Sequence, residues 1–441
     1  MLKIKKVNGT ALFNSLPDAL LIKNAHLFDP GQKLDKEACI IIQQGKIDKI
    51  TETEPKSFSG EILDGQGSLL FPGFFDMHVH LREPGREDEE TILSGSMAAA
   101  NGGFTGVACM PNTEPAIDNQ EVVKYIRDQS QNFLTDVHPI ATITRNREGK
   151  ELAPIAELVE AGAVAISDDG SSVMNAEVMR RALEYSKMFD IPVLGHEEDS
   201  NLCHHRHMHE GFVSTKLGIP AMPAIGEDIM VSRDIMLAEY TGGRFHICHI
   251  SSTKSVDLVR RAKEKGLPVT CEVTPHHFTL TDTVIEKFDT NAKMNPPLRG
   301  EQERQALLDG LKDGTIDVIA TDHAPHAIEE KEVEFIAAPF GITGLETSIG
   351  LIFGELYHRQ VLSLKDIYHR CVSNPRKILN INIPAIKAGE KANLVLIHPD
   401  MEWRYCDYRS YSKSQNSPFK EKNLKGKAIF VINNNKIFGN L

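Results

Sequence analysis

Two histidines one residue apart, His78 and His80, follow an apolar stretch and lead into Leu81-Arg82-Glu83-Pro84-Gly85. On an extended strand, residues two apart face the same side, about 6–7 Å from one another. Both imidazoles can therefore reach one ion. Further ionisable residues stand where other apolar runs end: Asp168 and Asp169 after 163–167, His196 after 191–195, His249 within 244–250, and Asp322 after 316–320. Imidazole nitrogen and carboxylate oxygen are donors that zinc accepts. A single catalytic zinc takes about three protein ligands. Four histidines and at least two aspartates suit two cations sharing a bridging carboxylate and a bridging hydroxide. Two such cations acidify water and polarise a carbonyl together. The residues point to metal-assisted hydrolysis.

Those positions must be brought together by a fold. From Leu69 onward, apolar runs recur at 69–75, 104–109, 134–141, 163–167, 191–195, 244–250, 268–273 and 316–320. Most gaps hold a helical pattern. One opens at Glu89 and runs to Asn101; another spans 175–189, with Val178, Met179, Ala182 and Met188 at helical spacing. Eight strand–helix repeats predict an α/β fold, a (β/α)8 barrel with its chemistry at the strands' C-terminal ends. A doubly wound sheet would favour a glycine-rich loop after its first strand, and no GxGxxG or Walker lysine motif is present. Gly102 and Gly103 read as a tight turn or helix exit.

The ends of the chain have a different rhythm. Short strand-like runs at 20–24, 39–43 and 47–50 are punctuated by Gly45 and by Asp64 and Gly65. After about residue 385, runs at 394–397 and 429–432 precede the turn Asn433-Asn434-Asn435. The expected organisation is a barrel over 69–384 beside a small β domain built from 1–68 and 385–441 together.

Bulk properties narrow the class further. With 441 residues, 41% hydrophobic and 25% charged, the chain is ordinary for a globular protein. A net charge of −12 and no basic stripe argue against a nucleic-acid surface. No apolar stretch approaches membrane-spanning length, and Met1 to Thr10 lacks the features of a secretory signal. Seven scattered cysteines without a CxxC suggest reduced thiols and a cytoplasmic location, with Cys109, Cys248 and Cys271 as buried filler.

Four segments carry a family resemblance: His78-Val79-His80-Leu81-Arg82-Glu83-Pro84-Gly85, Met110-Pro111-Asn112-Thr113, Asn295-Pro296-Pro297-Leu298-Arg299 and Thr321-Asp322-His323-Ala324-Pro325-His326. Together they resemble dihydroorotases of the long bacterial type I class, within the amidohydrolase superfamily, over roughly residues 20–440. The resemblance implies the third step of pyrimidine biosynthesis, reversible closure of N-carbamoyl-L-aspartate to dihydroorotate by a metal-bridging hydroxide. It implies two Zn2+ per chain: one on His78, His80 and Asp322, the other on His196 and His249, with Asp169 bridging. It selects Asp169 over Asp168, a choice the residues alone leave open. It makes Asp322 the proton carrier, gives Arg82 and Asn112 to the substrate's spare carboxylate, and adds Asn295 and His326 as further substrate contacts. It also implies a homodimer and raises a complex with aspartate transcarbamoylase.

The rivals are an allantoinase or a hydantoinase (dihydropyrimidinase), which share the first motif in outline, and a non-catalytic dihydroorotase-like partner of the transcarbamoylase. Ser167-Asp168-Asp169 stands where hydantoinases and many dihydroorotases carry a carboxylated lysine, a departure normal in the resembled subgroup that argues against a hydantoinase, and the intact ligand set argues against lost catalysis. His204, His205, His207 and His209 crowd one polar stretch beside Cys203. They suggest a metal tract by composition, but read as a solvated loop because the family's ligands lie at strand ends. His323 is expected to be structural.

Overall fold

The computed structural model describes residues 13–439. The segment read for a secretory signal lies outside them. Eight short parallel strands surround the site: Phe74–Val79, Phe104–Cys109, Asp136–Pro139, Ile166–Ser167, Val193–Gly195, Phe245–Ile247, Val269–Val273 and Val318–Ile319. They form a three-stranded and a five-stranded sheet in sequence order. Isolated parallel bridges join the two arcs at both seams, Ala141 to Ile166 and Val79 to His323. At the second seam the His80 amide donates to the His323 carbonyl at 2.8 Å. Side chains from around the ring, among them Met77, Ala108, Ile140, Leu194, Cys248 and Val318, make one buried cluster, filling the interior rather than leaving a pore.

The sequence pattern misplaced the first barrel strand. Most of the run 69–75 is the end of a longer strand, Glu61–Pro72, which pairs with Ala19–Asp29 and Leu394–Arg404. The barrel strand itself is Phe74–Val79. The two follow one another almost without a break and both are buried, so apolar content alone cannot separate them.

Helices alternate with the strands for local reasons. Thr91 and Ser94 form a capping box that starts Ile92–Asn101, three residues after the predicted opening because Glu89 and Glu90 lie before the cap. Gly102 then closes that helix and Gly103 takes φ 94°. On Ala176–Ser186, Val178, Met179, Ala182 and Leu183 face the core, while Glu177 pairs with Arg180 and Arg181 outside. Among the described residues no helix is long and apolar enough to cross a membrane.

Strands from both ends of the chain share a single eight-stranded sheet. Residues 394–397 pair with 69–72, and Asn14–Ser15 adds to Lys36's sheet at its far edge through Lys436–Gly439. The hairpin joining Asn423–Asn433 to Lys436–Gly439 turns on Asn434 and Asn435, with φ 50° and 55°. Asparagine tolerates the left-handed backbone that a two-residue hairpin of this kind requires.

Candidate active site

The C-terminal strand ends bring six residues into one buried cluster. His78 closes the first strand and His80 follows it; Asp169, His196, His249 and Asp322 come just after the fourth, fifth, sixth and eighth strands. Asp169 sits at the centre. Its Oδ1 lies 3.5 Å from His78 Nε2, 3.5 Å from His249 Nε2 and 3.7 Å from His196 Nδ1, and its Oδ2 lies 3.5 Å from His80 Nε2. Asp322 Oδ1 is 3.0 Å from His80 Nε2 and 3.4 Å from His78 Nε2. His196 Nδ1 and His249 Nε2 approach to 3.0 Å. Asp168 faces away, accepting from the amides of Ile143 and Thr144 at 2.8 and 3.0 Å. Of the two aspartates, the structure places Asp169 among the histidines.

The cluster's charges are strongly interdependent. Burial pulls the His78 imidazole down, yet Asp169, Asp322 and Glu272 together hold it well above its ordinary range. Burial likewise works against ionisation of Asp169, but His78, His196 and His249 keep its carboxyl well below the usual range. His196, also opposed by burial, is pushed up to about 10 by Asp169 and Glu198. His78 Nε2 and Asp169 Oδ1 are buried without a hydrogen-bond partner, a costly state unless something binds them. Ligand atoms of His78, His80 and Asp322, and again of His78, Asp169 and His249, all fall within 4.8 Å of one another. This donor set fits metal.

A surrounding layer fixes these groups, and sequence reading missed most of it. Glu272, wholly buried on the seventh strand, contacts His78 Nδ1 and lies 3.2 Å from His246 Nε2. It thereby aims the Nε2 of His78 at the cluster, the usual orienting role of a carboxylate behind a metal-binding imidazole. An acid inside the otherwise apolar run 268–273 was the available signal. Arg147 donates to the Asp169 carbonyl at 2.8 Å; nothing in its polar surroundings marks it. Three residues here, Arg82, His249 and Asp322, hold φ of 60°, 32° and 46°. Such left-handed backbone costs non-glycine residues about 1–3 kcal/mol each and concentrates at functional sites.

Next to the cluster lies a second group. Arg82 Nε is 2.9 Å from Glu89 Oε2 and donates to the Pro325 carbonyl at 3.1 Å. Its Nη2 is 3.4 Å from His326 Nε2. Asn112 accepts from His80 Nδ1 at 2.7 Å. Asn295 lies at the opposite metal ligand, its Nδ2 3.5 Å from His196 Nε2 and 2.7 Å from Glu198 Oε2. Asn112 and Asn295 thus touch histidines of the cluster directly, while Arg82 and His326 meet one another beside it. His323 is buried elsewhere, 3.2 Å from Glu90 and accepting from the Gly344 amide. Among the described residues, 204–209 supplies no grouping of three ligand atoms; His207 approaches Lys293 and His209 approaches Arg299 instead.

A parallel-stranded barrel with histidines and aspartates converging at its strand ends defines a metal-dependent amidohydrolase. Solved structures agree on the fold: an L-hydantoinase from Arthrobacter aurescens matches with a TM-score of 0.84 at 21% identity, covering 96% of each chain. A D-hydantoinase from a Thermus species matches at 0.79 and 24%, covering 95% of this chain and 94% of that one. A family model described as dihydro-orotase-like matches residues 67–255. A dihydroorotase from Pelotomaculum thermopropionicum is 48% identical over 92% of this chain and 95% of its own length. Another, from Syntrophus aciditrophicus, is 46% identical over 94% and 97%. The chain belongs to the dihydroorotase family.

Proposed function

We propose that this enzyme closes N-carbamoyl-L-aspartate to (S)-dihydroorotate with release of water, and runs the reverse hydrolysis, as the third step of pyrimidine biosynthesis. The observation that carries the reading is the juxtaposition of the metal-ligand cluster with Arg82 and His326. Substrate and product both hold a carboxylate that takes no part in bond making, and hydantoins lack one. A guanidinium suits that group through paired hydrogen bonds.

Zinc is the proposed metal, two ions per chain, on His78, His80 and Asp322 and on His196 and His249, with Asp169 between them. Bound there, the ions would polarise the ring carbonyl and acidify the attacking water. The chain's own groups do the rest. In ring opening, the water oxygen bonds to the carbonyl carbon, the ring C–N bond breaks, and Asp322 carries the water's proton to the departing nitrogen. In closure, the carbamoyl nitrogen attacks the side-chain carboxyl, and Asp322 returns the proton to the leaving oxygen. Arg82, Asn112, Asn295 and His326 hold the substrate so that the reacting ends meet.

The catalytic unit is assigned to 69–384 and the β domain to 1–68 with 385–441, on the shared terminal sheet. A homodimer is supported by the helix Ile225–Thr241, whose Ile225, Ile229, Met236 and Tyr240 are 50%, 44%, 65% and 76% exposed at spacings that place them along one side. Aspartate transcarbamoylase is the partner to test by co-purification. A cytoplasmic location is supported by the cysteines, all of them free thiols. The deciding assay follows dihydroorotate absorbance on metal-quantified protein, with hydantoin in parallel. Turnover of hydantoin in preference to dihydroorotate would refute the assignment.

A further inference from the structure

Glu89 is buried, 2% exposed, and touches both groups assigned to the substrate's carboxylate. One oxygen, Oε2, lies 2.9 Å from Arg82 Nε; the other, Oε1, lies 2.8 Å from His326 Nδ1. It therefore bridges the loop after the first barrel strand and the loop after the eighth. Glu330 adds a second carboxylate to the same imidazole nitrogen at 3.3 Å. On its other side His326 Nε2 is 2.8 Å from the carbonyl oxygen of Phe340.

Both ring nitrogens thus face oxygens that can only accept. A neutral imidazole has one N–H and one lone pair, so one of these contacts would set a lone pair against an oxygen. Arg82 Nη2 could donate to an unprotonated Nε2, but at 3.4 Å that contact is much longer than the 2.8 Å to Phe340, and the shorter contact decides.

We infer that Glu89 is a positioning residue that keeps His326 protonated on both ring nitrogens, so that the substrate's spare carboxylate meets two cations, Arg82 and the His326 imidazolium. This rests on the reading of Arg82 and His326 as the acid's binding groups. The groups facing His326 are Glu89, Asp88, Arg82 and Arg86 from the first loop, Glu330 from its own segment, and the Asn416 side chain, which accepts from its amide at 3.1 Å. Behind it a cavity of about 330 Å3 also presents Glu329, Lys331, Lys413 and Lys420.

The test compares the metal-loaded wild type with Glu89→Gln and Glu89→Asp. Protein labelled with 15N at histidine gives the His326 ring signals, assigned by their loss in His326→Gln. The wild type should show two protonated nitrogens at pH 7.5, and Glu89→Gln should show a neutral ring there. For dihydroorotate, the KM of Glu89→Gln should lie within about threefold of wild type at pH 6 and rise by about tenfold or more at pH 8. The kcat should change much less, and Glu89→Asp should restore most of the pH 8 affinity. A neutral His326 in the wild type, or a KM change equal at both pH values, would overturn the inference. If the NMR result holds while Arg82→Met leaves dihydroorotate KM untouched, the fault lies instead in the acid-pocket reading.

Discussion

At the strand ends, Asp169 and Asp322 face four imidazoles, and His78 Nε2, Asp169 Oδ1 and His249 Nδ1 are buried without hydrogen-bond partners. A short way along the chain, around Arg82, the charged groups find partners within the protein: Glu89 with Arg82, His326 with Glu89, Arg82 with the Pro325 carbonyl. The first region is unfinished as protein alone, since leaving a buried polar atom unpaired costs about 1–3 kcal/mol. The second is complete before substrate arrives. One is organised by what it will bind, the other by its own charges. Metal should therefore be needed for chemistry and for quieting the cluster, whereas the acid pocket should survive metal removal intact.

The sharpest way to break that contrast is at Asp322, which belongs to the cluster and is the proposed proton carrier. Asp322→Asn keeps the shape and removes the base and a ligand charge. Turnover should fall by about 10^3-fold or more, within the range that proton transfer contributes, with metal content measured on the same sample. Activity within tenfold of wild type at full metal content would remove Asp322 from the mechanism. Chelation should abolish activity in the unmutated enzyme, and reconstitution with zinc should restore it as the stoichiometry nears two per chain. Full activity at a stable one per chain would count against Asp169 as a bridge.

Arg82 tests the other side of the contrast. Arg82→Met preserves much of the length and removes the charge. Breaking a buried, hydrogen-bonded charge pair costs on the order of 2–5 kcal/mol, so kcat/KM for dihydroorotate should drop roughly 30- to 5,000-fold. Metal content should not change, because Arg82 is no ligand. A neutral cyclic imide, a poor substrate of the wild type, should lose far less. Parallel losses for both substrates would mean that Arg82 supports the site generally and does not read the acid.

How much of this was legible in sequence follows the same division. The cluster's histidines and aspartates stand at the ends of apolar runs because a barrel strand must be apolar until it reaches the mouth, so period and residue type made their convergence legible. The terminal strands and the Asn434–Asn435 turn were readable from β-type runs and turn residues. The start of the barrel was not, because 61–72 and 74–79 are both buried strands and only pairing distinguishes them. Glu89 was invisible for a different reason. It sits among Glu87, Asp88 and Glu90, and an acidic run looks like a solvated face until the fold turns two of its members inward. Glu272 left a trace, a charge inside an apolar strand, but its partners His78 and His246 are distant in sequence.

Glu272 offers a middle-sized test. Replacing it with glutamine keeps a hydrogen-bonding group behind His78 and removes the charge that, with His246, is buried there. Loss of such an orienting carboxylate typically costs about 10- to 100-fold in metal affinity or activity. The effect should appear as weaker zinc retention in competition with a chelator, and excess zinc should recover most of the turnover. If excess metal fails to rescue, Glu272 acts on the reaction directly and the line between cluster and supporting layer must be redrawn.

The smallest effect is expected at His204, His205, His207 and His209, which are rich in metal-binding side chains yet belong to neither region. His204 and His205 stack on one another, with ring centroids 3.8 Å apart. His207 lies 3.3 Å from Lys293 Nζ and His209 3.4 Å from Arg299. A neighbouring ammonium or guanidinium repels a metal cation, and burial followed by the Arg299 charge pulls His209 down to about 4. It is the neighbouring Arg299 charge, and not the protonation of the His209 ring, that disfavours a metal there. Replacing all four with asparagine or glutamine should leave turnover within about tenfold, since a loosened loop can still disturb substrate positioning. The zinc content of the strand-end cluster should stay unchanged. Loss of zinc from that cluster on this substitution would show that the loop feeds or completes the metal centre, and the separation between composition and placement argued from the strand ends would fail.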